Sequence, residues 1–155
     1  MDSDVSPDRI GAAMTTASAP LPTPVSRSRY LLIGAAAAIA QMLMMVPGYS
    51  EDGEFQVGEW LIVLLISLVV AAALFSFVVP NGGAVSALIL AVVALASVLI
   101  FWAGITLPIA AAAAVIAWRA RAAGERPGMA TGALALSVLA GVALVAIIIG
   151  DAIAN

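Results

Sequence analysis

The sequence predicts an all-α protein, an integral membrane helical bundle of five transmembrane helices, with four as the alternative. Three observations carry this. Hydrophobic residues make up 64% of the 155-residue chain and charged ones only 10%, with a mean hydropathy of +1.16. A soluble domain holds about 45–50% apolar and about 25% charged residues, so this chain could not cover its surface with polar groups in water. Several runs approach or exceed about 18 residues without a charge, the length a bilayer core requires. Finally, all six basic residues are arginines. They sit in two places, ahead of the first apolar run (Arg9, Arg27, Arg29) and ahead of the last (Arg119, Arg121, Arg126).

Residues 1–29 are rich in Ser, Thr, Pro, Asp and Ala, and Pro20, Pro22 and Pro24 alternate. Alternating prolines block a regular helix, and too little apolar surface is present to offset the entropy of ordering. We expect a disordered, cytoplasmic tail, and prefer a solvated tail over a docking arm or phosphorylation target. The first span is expected at residues 30–46, "YLLIGAAAAIAQMLMMV", stopped by Pro47-Gly48. Its start resembles a signal peptide, with Arg27 and Arg29 ahead of it and "AIA" before Gln41. Apolar residues continue past Gln41 and the basic pair lies behind a long acidic tail, so retention is expected. The loop that follows holds Glu51, Asp52, Glu54 and Glu59 and no basic residue. The second span is expected at residues 60–79, ended by a tight turn, "PNGG".

The run from Ala84 to Trp118 carries no charge. As one α-helix its roughly 35 residues would reach about 52 Å, against a hydrocarbon core of about 30 Å. The stretch "FWAGITLP" offers a break: Phe101 and Trp102 suit the interface, Gly104 is flexible, and Thr106 can N-cap a helix with Pro108 in its first turn. A third span is therefore expected at 84–100 and a fourth at 105–118, followed by a basic loop, "RARAAGERPG". A fifth is expected at 129–150, with Asp151 beyond it. Five spans with the N-terminus inside place every arginine in the cytoplasm and the acidic loop outside, as the positive-inside rule favours; a single crossing of 84–118 would split the arginines evenly. The expected location is the cell (plasma) membrane, with the C-terminus extracytoplasmic.

The chain has no Cys and no His, which excludes thiol nucleophiles, histidine bases, zinc ribbons and disulfides. No charged side chain lies inside an expected span. Such groups are the usual pointer to a proton or substrate pathway, so a proton-coupled carrier is disfavoured. Gln41 is the strongly polar exception, read as interhelical glue in preference to a pore lining. Met42, Met44 and Met45 could in principle form a soft copper(I) site, but only Met42 and Met45 share a helix face, and gap filling is the preferred reading. Ser67, Ser76, Ser86, Ser97 and Ser137 are expected to bond back to their own helix carbonyls. The acidic turn Glu51–Glu54 lacks calcium-loop spacing and is read as solvated; Tyr49, Phe55 and Trp60 are read as interfacial. Ala133, Ser137 and Gly141 form a small-residue seam, read as packing within one chain rather than between chains. Arg119, Arg121 and Arg126 can meet anionic lipid headgroups. No catalytic, cofactor-binding or metal residue is assigned.

From about Ala84 to Gly150 the order is an Ala/Leu/Val span, a Gly/Pro-containing turn, "IAAAAAVIAWRAR", a basic loop ending in Gly, and "MATGALALSVLAGVALVAI". This resembles small actinobacterial multi-pass membrane proteins that carry a three-span domain of unknown function. Those proteins have more glycine in the last span than Gly132 and Gly141 supply here. The resemblance implies a fold and no chemistry. The expected function is a non-catalytic membrane subunit or partner protein, with an oligomeric minor transporter or pore component as the alternative. The expected partners are the lipid bilayer and another membrane protein or a second copy, not nucleic acid.

Overall fold

Five helices account for nearly all of the computed structural model, which describes residues 26–46, 50–51, 54–55 and 57–154. Helix α1 spans Arg27–Met44 and follows Ser26 in extended conformation. It begins three residues before the expected 30, because nothing in Arg-Ser-Arg opposes a helix once Pro24 is passed. Arg27, Ser28 and Arg29 are therefore helical and do not belong to a disordered tail; residues 1–25 lie outside the described residues. A two-residue antiparallel ladder, β1 (Ser50–Glu51) with β2 (Glu54–Phe55), closes the following loop.

Helix α2 runs Val57–Asn81. Its α-helical part, Val57–Ala73, gives way to a π-helical turn at Leu74–Val78 and a last turn at Val79–Asn81. The wide turn lies directly before Pro80, whose ring would press on the Ser76 carbonyl in a regular helix. The expected "PNGG" turn is thus half helix. Asn81 Nδ2 donates back to the Phe77 carbonyl at 2.9 Å, and Gly82 and Gly83 alone make the reversal.

The break in the long apolar run is real. Helix α3 (Ala84–Ser97) leads through two short 3-10 turns within Val98–Ala103, kinked at Ile100 (φ -118, ψ 43), to Gly104 at φ +70 and then to helix α4 (Thr106–Ala122). Thr106 is not the N-cap; that position belongs to Ile105, which makes no side-chain capping bond. Helix α4 extends one turn beyond the expected 118, giving about 26 Å at the helical rise. It ends in a Schellman motif: Glu125 N donates to Ala120 O at 2.8 Å and Gly124 N to Arg121 O at 3.0 Å, with Gly124 at φ +72. The expected basic loop 119–128 therefore shrinks to residues 123–126, and helix α5 spans Pro127–Ala154.

Successive helices run antiparallel. Helices α3, α4 and α5 pack on one another, and α1 packs against α2 and α4. Helix α4 is the shared central element: Ala110, Ala112, Ala113, Ile116 and Ala117 are all buried. Alanine dominates this interior because short side chains let backbones approach closely. At α5 the buried stripe is Ala130, Ala133, Ser137, Ala140 and Leu144, spaced three and four apart. Most of the expected small-residue seam is thus consumed inside the monomer, while a Cβ at Gly141 would meet nothing within 4 Å.

The outside is the reverse. Leu32, Leu65, Phe77 and Leu99 are 68, 64, 72 and 79% exposed, while Gln41 and Thr106 are 0% exposed. Large apolar side chains thus cover the outside, while the interior holds mostly small apolar residues with a few polar groups among them, a distribution unlike that of a water-soluble bundle. Helix α2 over Val57–Asn81 and α5 over Pro127–Asp151 are each long and apolar enough to cross a membrane; the apolar helix Ala84–Ile100 is shorter.

Candidate functional site

Two polar clusters occupy opposite ends of the bundle. The first surrounds the α3–α4 turn. Breaking a helix there frees backbone donors and acceptors in an apolar setting, and each one left unpaired would cost about 1–3 kcal/mol. Side chains from two other helices and from the turn's own flanks meet that demand. Gln41 on α1 accepts the Leu107 amide on its Oε1 at 2.7 Å, so α1 caps α4 from outside. Its Nε2 faces the Met45 sulfur at 4.0 Å. Ser67 on α2 donates to the Gly104 carbonyl at 2.6 Å. Thr106 donates to the Ser97 carbonyl at 3.1 Å, and Ser97 Oγ lies 2.7 Å from the Ala94 carbonyl and 3.1 Å from Thr106 Oγ1. Among the described residues no buried side-chain nitrogen or oxygen lacks a partner.

Gln41 is interhelical glue, as expected, and its specific task is capping. Gln41→Leu keeps the volume but removes that acceptor. We expect it to lower stability by about 1–3 kcal/mol, read as an earlier transition in detergent-based unfolding. An unchanged transition would remove Gln41 from this role. Met42 is fully buried and Met45 is 6% exposed, whereas Met44 is turned outward. The Met42 sulfur packs at the Gly104 backbone and Met45 faces Gln41, which is a gap-filling arrangement.

The serines divide. Ser97 and Ser137 bond back within their own helix, the latter to Ala133 O at 2.8 Å. Ser67 does not: its partner lies 37 residues away. Trp60 also has a defined task. Its indole N–H donates to the Met42 carbonyl at 3.2 Å, closing the C-terminal turn of α1. Tyr49, Asp52 and the side chains of Glu51, Glu54 and Phe55 lie outside the described residues.

The second cluster sits at the other end. Arg119 donates to the Val79 carbonyl in the last turn of α2, and its guanidinium lies 5.7 Å from the centroid of the Tyr30 ring. One arginine therefore ties α4 to both α1 and α2 through a helix C-terminus and an aromatic face. Glu125 is the acidic member of an otherwise basic loop. Its Oε1 accepts the Ala84 amide at 3.1 Å and so caps α3. A Cβ at Gly83 would come 2.5 Å from that oxygen, which explains a glycine there. A lone acid among arginines was the signal for this cap in the sequence, and charge counting passes over it. Arg27, Arg29, Arg119, Arg121 and Arg126 all lie at this end, with Glu59 and Asp151 at the other.

Chemically, both clusters hold backbone ends. Among the described residues, the hydroxyls and the amide of the first are engaged with carbonyls, an amide, a sulfur and one another. Among the described residues, no three His, Cys, Asp or Glu side chains group to hold a metal ion. Comparison with protein-family profiles, with curated proteins and with solved structures finds no match.

Proposed function

We propose that the chain is a five-span integral protein of the plasma membrane, N-terminus in the cytoplasm and C-terminus outside. We propose further that it works as a non-catalytic membrane subunit or partner protein. The supporting observation is the distribution of side chains: large apolar residues outward, an interior of small apolar residues with a few paired polar groups, and the described arginines gathered at one end of alternating helices. Lipid is the solvent that makes this distribution stable, and the arginine-bearing end is then the cytoplasmic one. Trp118, 67% exposed near that end, and Trp102, 58% exposed near the other, suit the two interfaces. The likeness of residues 84–150 to small actinobacterial three-span proteins belongs to the same proposal. That segment corresponds to α3, α4 and α5, which pack mutually.

Reporter fusions at Asn81, Ala103 and Gly124 are expected to read inside, outside, inside. Ala103 reading inside overturns the five-span arrangement. The partner role is tested with photo-crosslinkers at Leu65 and Phe77 on the outer face of α2 in native membranes. One discrete second protein captured from both positions is expected; capture of the chain alone counts against the role. A pore reading has less support, because Gln41, the residue that would line it, is fully buried and spent on the α4 terminus.

A further inference from the structure

Arg119 and Arg121 stand two residues apart, about 200° around the α4 helix, so they face different neighbours. Arg119 turns to α1 and α2, while Arg121 is exposed at the head of an open groove along α5. Thr131, Ala135, Val138 and Val142 follow one another in this groove at spacings of four, three and four, and so share one helix face; Leu134 and Leu139 flank it. Ala135 is the shortest side chain in the lining, set between larger neighbours. It is turned away from the stripe that α5 buries against α3 and α4.

From this geometry, and resting on the membrane reading above, we propose that the groove binds one anionic phospholipid of the cytoplasmic leaflet, its phosphate at Arg121 and an acyl chain along α5. Two features point to this occupant. From Thr131 to Val142 the helix rises about 17 Å, close to one leaflet of a core about 30 Å thick. Among the described lining residues the one charged side chain is a cation, placed at the end where the leaflet carries its phosphates. A hydrophobic partner helix would leave that guanidinium without a counter-charge, and a zwitterionic lipid would complement it less well.

The test is native mass spectrometry of the full chain in detergent, with equal amounts of phosphatidylglycerol and phosphatidylcholine added. One phosphatidylglycerol per chain is expected to be retained preferentially. Arg121→Gln is expected to reduce that preference about fivefold, as for the loss of one basic contact with an anionic headgroup. Ala135→Leu fills the groove and should reduce retention of both lipids. Arg27→Gln removes a charge at the same end, on α1, which packs against α2 and α4, and should change nothing. Equal retention of the two lipids, or a preference surviving Arg121→Gln, overturns the site. Those results with the three fusions reading inside, outside, inside leave the membrane reading intact; a chain that fails to enter bilayers overturns both.

Discussion

Gly104→Ala is expected to destabilise the fold by about 2–4 kcal/mol, combining left-handed strain of about 1–2 kcal/mol with an overpacking cost of similar size. Gly104 has φ +70, where a Cβ crowds its own backbone. That Cβ would also lie 2.8 Å from Val63 Cγ1 and 3.1 Å from the Met42 sulfur. Both neighbours belong to packed helices, and Ser67 holds the Gly104 carbonyl in place, so the turn has no free direction in which to relax. Unfolding from mixed micelles, followed by helical circular dichroism, measures the loss. A wild-type transition would mean that this turn is free to rearrange, and would remove the structural basis for the α3–α4 reversal.

The second large effect is expected where α1 meets the π-helical turn of α2. Phe75 is fully buried with its ring on Gly34. A Cβ at Gly34 would approach Phe75 Cδ2 to 2.6 Å. Gly34→Ala is therefore expected to cost about 1–3 kcal/mol through overpacking. Phe75→Leu should cost a comparable amount through the space it leaves. Because the defects are opposite, the double variant should be less destabilised than the sum, with a coupling of about 0.5–3 kcal/mol. Strict additivity in the same unfolding assay would show that Gly34 and Phe75 do not meet.

How this contact and others could have been found in the sequence differs by residue. The reversal at "FWAGITLP" was legible, since helix length against bilayer thickness and the placement of arginines argue for it independently. Its chemistry was only half legible. Gln41 stood out as a polar residue in an apolar run, yet its partner, the Leu107 amide, lies 66 residues on and leaves no local trace. Thr106 looked like an N-cap because threonine before a helix often is. In the fold its hydroxyl is spent on Ser97, and a glutamine from another helix does the capping. Ser67 had no mark separating it from Ser97, because a serine's partner depends on which helix passes beside it. Helix ends also moved. Arg119 to Ala122 read as loop because charge is concentrated there, but Arg119 gains the Val79 carbonyl and the Tyr30 ring only if the helix continues to present it.

The sequence by itself determined the class of object: a mostly apolar, almost uncharged set of helices, their number, the order in which they reverse, and a bias of positive charge to one end. Those properties follow from composition and spacing, which act through solvent and helix rise and need no knowledge of neighbours. Only the tertiary structure decided which helix is central, that one stripe of alanines on α4 and one on α5 are buried within one chain, that Gln41 and Glu125 each cap a helix to which they do not belong, and that Arg119 and Arg121 face different surroundings. The physical reason is that a polar group in an apolar interior is stabilised by whatever donor or acceptor lies within about 3 Å. In an antiparallel bundle that partner comes from a distant part of the chain.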